Sequence, residues 1–361
     1  MSERVWGRLP EGLTPGEFAR FRREIAEPVA VTGATGFVGW HLTGALIAAG
    51  LRPRVLVRDP ARVDASWVDR VEIVPGDLED REALARLVRG STSVFHLAGL
   101  VRASSPAAFD RANRVGTATL VEAWRVHAPN ARLIHVSSLA AAGPSASREG
   151  RGPEEDPAPI SAYGRSKLAG EAAVRAGRGE WVILRPPAIF GPRDIDVFQF
   201  FKLASRGLVP LPAGDRFITI AYVSDVVRAV LAAVLGPSGS VFHLGEPEPF
   251  ELSELVRVLA ESGGVRCRRI ALPPILVRAA GRVGDALHRV GFRSVAMTSD
   301  KATELLARHW TARTADSLEA LGVPGFVPFA QAAAATWEWY RAQGWLPPAR
   351  RGRLRPATPA C

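Results

Sequence analysis

Tyr163 and Lys167 stand four residues apart in Ser161 to Ala176, a stretch whose pattern predicts a helix, so the phenol and the amine share one face. A tyrosine so placed can exchange a proton with a substrate oxygen. Its ordinary pKa of about 10 is too high for a base at neutral pH, and a nearby ammonium would lower it by favouring tyrosinate. Lys167 would supply that charge and can also donate to ribose hydroxyls. A hydroxyl able to orient the substrate oxygen stands at Ser138, where the apolar run Leu133 to Val136 ends in Ser137-Ser138. Together these three side chains point to proton-coupled hydride transfer at a carbonyl or secondary alcohol carbon.

Chemistry of that kind needs a dinucleotide, and the chain offers a place for one. Pro28 to Val31 reads as a short buried parallel strand, and Trp40 to Ala49 as a helix with Gly50 at its C-terminal cap. Between them Gly33, Gly36 and Gly39 are spaced G-x-x-G-x-x-G. Gly33 permits a tight turn, Gly36 leaves no Cβ in the way of a pyrophosphate, and Gly39 lets the helix pack closely on the sheet. The helix N-terminus then offers free N–H groups to the diphosphate.

Further strands are expected at Pro53 to Val57, Val71 to Pro75, Ser93 to Leu97, Leu133 to Ser138 and Trp181 to Leu184, alternating with helices. This alternation predicts an α/β fold, a doubly wound parallel sheet. Ligands of such sheets lie beyond the carboxyl ends of the strands, where Gly33, Arg58, Asp77, Ala98 and Ser138 all fall. Arg58 directly after the second strand, with Arg62 near it, favours the 2′-phosphate of NADP. In the alternative, Asp59 holds an NAD ribose. Asp77 either accepts from the adenine amino group or caps the helix expected over Glu79 to Val88.

Four regions are expected: a leader over 1–27 with a helix from Pro15 to Glu27, a dinucleotide-binding domain over 28–191, a smaller and mostly helical substrate-binding region over 192–346, and a basic Pro/Arg-rich tail over 347–361. A sheet strand returns near Val241 to Leu244. Beyond Pro247 only helices are evident: Leu252 to Glu261, Pro274 to Val290, Asp300 to Arg308 and Phe329 to Gln343. The stripe Val277, Ala280, Val283, Leu287 is read as core rather than as a lipid-binding face. The loop from Gly143 to Pro159 is long enough to be a lid or a mobile insertion.

The net charge of +10 invites a nucleic-acid reading, but half of it comes from five arginines in the tail from Arg341 onward, and no nucleic-acid motif accompanies them. No apolar run of about 18 residues suggests a membrane span. Cys267 and Cys361 lack metal or disulfide spacing, so no metal is expected and a reducing cytoplasm is. A small-molecule substrate and a monomer or homodimer complete the expectation.

The chain closely resembles the extended short-chain dehydrogenases/reductases, the NAD-dependent epimerase/dehydratase group, from about Val29 to Leu346. The marks are Thr32-Gly33-Ala34-Thr35-Gly36-Phe37-Val38-Gly39, Gly76-Asp77-Leu78, His96-Leu97-Ala98-Gly99, Asn113-Arg114-Val115-Gly116-Thr117, Val136-Ser137-Ser138, Tyr163-x-x-x-Lys167 and Arg185-Pro186-Pro187-Ala188-Ile189-Phe190-Gly191-Pro192. The resemblance implies catalytic roles for Ser138, Tyr163 and Lys167. It implies cofactor contacts at Gly33, Gly36, Phe37, Val38, Gly39, Arg58, Asp77, Leu78, Ala98, Gly99 and Asn113, with Tyr163, Lys167, Pro186 and Ala188 beside the nicotinamide.

Two departures narrow the activity. Leu139-Ala140 replace the Asp-Glu pair of the family's dehydratases. Ile218 and Tyr222-Val223-Ser224-Asp225 stand where its epimerases carry a diphosphate-gripping Arg and a His-Val-x-Asp motif. The apolar tone of Phe198, Phe200, Phe201 and Leu203 is similar to the 3β-hydroxysteroid dehydrogenase and dihydroflavonol reductase branch. The expected activity is therefore an NAD(P)-dependent reductase or dehydrogenase acting on a fairly apolar substrate. The alternatives are an epimerase with tightly bound NAD and a non-catalytic nucleotide-binding subunit.

Overall fold

The computed structural model describes residues 13–103, 105–289 and 297–348. Short, mostly apolar strands buried on both faces build its central layer. Strands β1 (Val29–Thr32), β2 (Arg54–Val57), β3 (Glu72–Pro75), β4 (Ser93–His96), β5 (Arg132–Val136), β6 (Trp181–Arg185) and β7 (Ser240–His243) form one sheet in the order β7-β6-β5-β4-β1-β2-β3. Every neighbouring pair is parallel, so all carboxyl ends meet at one edge. The expected strand near 241–244 is β7.

The period of two sends successive side chains to opposite faces. Val29, Val31, Phe95, Ile134, Val182 and Leu184 enter a core beneath the helices Phe37–Ala48 and Val223–Ala232. Ala30, Val94, Leu133 and Ile183 enter the opposite core, under Arg81–Val88, Gly116–His127 and Ala162–Ala176. The leader contributes to the first core. Its helix Pro15–Glu24 opens with a Thr14–Glu17 capping box and buries Phe18 and Phe21. The start of the leader and the tail beyond 348 lie outside the described residues.

The segments after Gly191 surround a separate core in which Phe201, Trp337 and Tyr340 are fully buried. Phe198 packs edge-on to Tyr340 at 4.8 Å and Phe201 to Trp337 at 5.3 Å. The aromatic helix Phe198–Ser205 thus spends its rings on packing, and they no longer argue for an apolar substrate. Not only helices follow Pro247. Phe250–Glu251 and His309–Trp310 flank Phe217–Ile218 in a small sheet, and Arg268–Leu272 pairs with the proline-bearing Leu208–Pro212. Ile220–Tyr222, just beyond Phe217–Ile218, is a separate strand that pairs with Ala188–Phe190.

The stripe on the helix Pro274–Arg289 is also not core throughout. Val277 is buried, but Val283 and Leu287 are exposed. The Gly143 to Pro159 loop is stitched down rather than free. Ser145 donates to the His309 carbonyl, Arg151 to that of Thr311, Arg313 back to that of Arg151, and Ala158 to that of Ala142.

Candidate functional site

The glycine turn is set by close approach. Gly33 has a φ of +77°, and a Cβ there would lie 2.7 Å from the Ala98 nitrogen at the end of β4. A Cβ on Gly39 would lie 2.0 Å from the Gly33 carbonyl oxygen. Gly39 therefore fits the helix to the turn itself, a more local role than packing on the sheet. Gly36 is exposed and is the N-cap, and no side chain caps the helix. The helix begins at Phe37, three residues earlier than its apolar pattern suggests, so the Phe37, Val38 and Gly39 amides form its first turn. A Cβ-free N-cap before uncapped first-turn amides fits a diphosphate.

Around this turn lie the other strand-end residues. Arg58 and Arg62 are exposed, while the Asp59 carboxylate accepts from the Ala61 N–H at 3.1 Å. Asp77 Oδ1 accepts from Glu79 and Asp80 amides, and Asp80 rather than Asp77 caps the next helix, which starts at Arg81. Leu78 is half-buried against Gly116, where an added Cβ would come within 2.9 Å of it. Gly99 sits against Asn113, whose Oδ1 would be 2.7 Å from a Cβ there. Asn113 itself is engaged within the protein. It accepts from Leu100 N–H, and its amide donates to the Leu100 carbonyl and the Ser166 hydroxyl. It lies in a π-helical turn, Asp110–Val115, that runs into the helix Gly116–His127.

The catalytic candidates come together at β5 and the helix Ala162–Ala176. Ser138 caps the short helix Leu139–Ala142 and stands beside the Tyr163 phenol, where it favours the ionised form. Phe109 packs beside the tyrosine ring at 5.7 Å. Lys167 is buried and donates to the Val136 carbonyl at 2.9 Å. The buried Pro186 lies alongside, its carbonyl accepting from the Leu139 N–H at 2.8 Å, and Ala188 is exposed just beyond.

The electrostatics differ from expectation in one respect. Tyr163 is pushed up to about 12, first by burial and also by the Glu304 charge, against a downward pull from Ser138. Burial, not the lysine ammonium, sets the direction of the shift. Lys167 is lowered to about 8 by burial, with Glu171 opposing that shift. Beneath the pair, His96 and His135 stack at 5.0 Å, and burial together with Lys167 holds both far below their ordinary value. At neutral pH these residues present a protonated phenol beside a cationic lysine, above uncharged imidazoles.

Two supports were not singled out from sequence. Glu171 lies one turn beyond Lys167, on the face already defined by Tyr163 and Lys167, so that spacing was legible. It accepts from the Ser137 hydroxyl at 2.6 Å and from Arg185 Nε and Nη2 at 2.8 and 2.7 Å, with the Glu171 and Arg185 side chains fully buried. Asp300 comes from the distant helix Ser299–Leu306 and accepts from the amides that begin the Tyr163 helix. No local pattern announces a contact across that separation. Among the described residues no cluster of three or more His, Cys, Asp or Glu side chains is arranged to hold a metal ion, and no helix is long and apolar enough to cross a membrane.

A parallel sheet whose first strand feeds a glycine turn, with a tyrosine–lysine helix at the same edge, is the architecture of an extended short-chain dehydrogenase/reductase, an NAD(P)-dependent enzyme class. The chain belongs to the NAD dependent epimerase/dehydratase family, whose model matches residues 29–245. It is 38% identical over 324 residues to the ceramide reductase of Caulobacter vibrioides, covering 88% of this chain and 96% of that one. It is 31% identical over 268 residues, 72% of this chain and 80% of the relative, to a farnesyl-dihydroquinoline-oxide ketoreductase of Stigmatella aurantiaca.

Solved structures share the fold. The UDP-glucose 4-epimerase of Thermotoga maritima superposes with a TM-score of 0.70 at 24% identity, covering 87% of this chain and 99% of that one. A UDP-glucuronic acid 4-epimerase variant from Bacillus cereus, solved with NAD, gives 0.70 at 20% identity over the same shares.

Proposed function

We propose that this protein is an NADPH-dependent reductase acting on a carbonyl of a long-chain, ceramide-like lipid. The observation that carries the reading is the meeting of Ser138 with the Tyr163 phenol, close enough to pull the phenol's pKa down, with Lys167 one helical turn away. The bound dinucleotide would supply the hydride, held by the Gly33–Gly39 turn and the first-turn amides of Phe37 and Val38. Ser138 donates to the substrate carbonyl oxygen and orients it. Tyr163, protonated far above neutral pH, gives its proton to that oxygen as negative charge develops there. Lys167 favours the resulting tyrosinate and offers donors to ribose hydroxyls. Leu78, Ala98 and Gly99 would flank the dinucleotide, with Pro186 and Ala188 near its reactive end. Asn113 would act indirectly, by bracing Leu100 and Ser166.

NADPH is favoured over NADH by what surrounds the end of β2. Arg58 and Arg62 are exposed there, and Asp59, the residue an NAD ribose would need, is occupied in capping Ala61. The lipid substrate is supported by the 38% identity to a ceramide reductase over nearly the whole of both chains. Ile218 in place of a diphosphate-gripping arginine, and Tyr222 in place of the motif histidine, speak against a nucleotide sugar.

The test is NADPH oxidation by the purified protein, followed at 340 nm, with a ketone-bearing ceramide in detergent and with UDP-glucose. Lipid-dependent turnover that falls at least a hundredfold in Tyr163→Phe supports the reading. Turnover of neither substrate, or full activity in Tyr163→Phe, overturns it. Interconversion of UDP-sugars without added cofactor would establish an epimerase instead.

A further inference from the structure

The helix Pro274–Arg289 presents its large apolar side chains to solvent. Ile275 is 72% exposed, Leu276 54%, Val283 59% and Leu287 38%. At 100° per residue these four fall within one arc of the helix, together with Ala279, Ala280 and Ala286. The opposite side is lined by Val277, Gly281 and Gly284, and it is the side in contact with the protein. A Cβ on Gly281 would lie 2.9 Å from the Ala302 Cβ and from the Thr298 carbonyl oxygen, so this face is built for close approach to the helix Ser299–Leu306. The amphipathic pattern is real, but its larger apolar side faces outward.

The segment that carries that face is dominated by one sign of charge. Between 264 and 287 the chain has Arg266, Arg268, Arg269, Arg278 and Arg282, all exposed, and a single acid. That acid, Asp285, accepts from the Ser299 N–H at 3.1 Å on the inner side. Arg278 and Arg282 border the apolar arc on the helix. Arg268 and Arg269 lie on the exposed strand Arg268–Leu272, which leads straight into the helix and adds an exposed Ile270.

We propose that this face docks the protein on an anionic lipid bilayer, the helix lying in the plane of the interface. Ile275, Leu276, Val283 and Leu287 would enter the acyl boundary while the arginines meet lipid phosphates. Charge complementarity selects this occupant over a second copy of the chain, which would set arginines against arginines. The helix spans 16 residues, too short to cross a bilayer but suited to lying on one. Its inner face rests on the helix that carries Asp300, so the docked surface stands one helix away from the start of the Tyr163 helix. The proposal goes beyond the reductase reading and does not need it, because binding is measured without turnover.

The experiment is co-sedimentation of the full-length protein with vesicles of phosphatidylglycerol and phosphatidylcholine, against pure phosphatidylcholine vesicles. The expected result is pelleting with the anionic vesicles, weakening as salt rises. The double variant Ile275→Glu, Val283→Glu and, separately, Arg278→Glu, Arg282→Glu should each bind at least tenfold more weakly. Arg81→Glu, a charge reversal on a remote helix, should bind as the wild type does. Unchanged thermal melting of all variants establishes that lost binding is not lost folding. The proposal is overturned if the wild type stays in the supernatant, if both double variants pellet like the wild type, or if Arg81→Glu loses as much as they do. It is equally overturned if light scattering shows that the apolar face holds a dimer and its disruption leaves vesicle binding intact.

Discussion

Asp300 caps a helix it does not belong to: its Oδ1 accepts from the N–H of Ala162 at 2.9 Å. Its Oδ2 faces the N–H of Tyr163 at 3.3 Å, while Ser161 serves the next amide, that of Gly164, at 3.0 Å. The amides opening the tyrosine helix are thus satisfied jointly by a local serine and a carboxylate from more than a hundred residues away. The negative charge also suits the positive end of the helix dipole. Asp300→Ala is expected to cost about 1 kcal/mol in a denaturant titration, the usual value of a lost cap. Asp300→Asn should recover part of it. A kcat that falls while the melting transition barely moves would show that the contact sets the position of Tyr163 more than it holds the fold together.

The pH dependence of reduction should report Lys167. Burial has lowered its pKa to about 8, so the ammonium is present at pH 7 and is lost as pH rises through that value. Tyr163, raised to about 12, keeps its proton across the whole range. The expected kcat/KM with NADPH is flat up to about pH 7.5 and then falls, approaching tenfold per unit, above pH 8. A profile that stays level to pH 10 would show that the lysine charge does not contribute.

Reading the sheet from the sequence succeeded where burial on both faces enforces a continuous apolar run bounded by turns, as at Val29–Thr32 and Leu133–Val136. The glycine turn was equally legible, since close approach leaves little choice at Gly33 and Gly39. What escaped were elements whose partners are distant. Leu208–Pro212 carries two prolines and pairs only with Arg268–Leu272, a solvent-exposed strand whose composition resembles a loop. The stripe on Pro274–Arg289 had the right period, but periodicity does not say which side of a helix the protein occupies. There Gly281 and Gly284, with Val277 alone of the aliphatic stripe, mark the buried face. Asp300 carried no local signal at all.

The pair Glu171–Arg185 ties the tyrosine helix to β6 in a site without water access, with Arg185 Nη1 also 3.5 Å from His243 Nε2. Removing Arg185 takes the two charged contacts at 2.8 and 2.7 Å from a fully buried carboxylate, which keeps only the Ser137 hydroxyl and, at 3.3 Å, the more exposed Arg175. Arg185→Leu should therefore destabilise the protein by about 3–5 kcal/mol in urea unfolding. The double variant Glu171→Leu, Arg185→Leu should be less destabilised than Arg185→Leu alone, because it removes the under-compensated buried carboxylate as well. A double variant that is worse by the sum of both single losses would count against this account.

Cofactor preference rests on which side chain at the end of β2 is free. Asp59 is held by its own turn through the Ala61 amide, whereas Arg58 and Arg62 extend into solvent. An arginine paired with a 2′-phosphate makes charged hydrogen bonds worth about 1.5–3 kcal/mol, or roughly ten- to a hundredfold in affinity. Arg58→Ala should weaken NADP binding by that factor and leave NAD binding nearly unchanged, because NAD has no phosphate for the arginine to lose. Ligand-linked thermal stabilisation reads both affinities on the same protein, since the shift grows with ligand concentration relative to Kd. Equal losses for the two dinucleotides would assign Arg58 to the shared part of the cofactor. A wild type stabilised more by NAD than by NADP would shift the ribose contact to Asp59, and would require the 3₁₀ turn Pro60–Arg62 to release its cap.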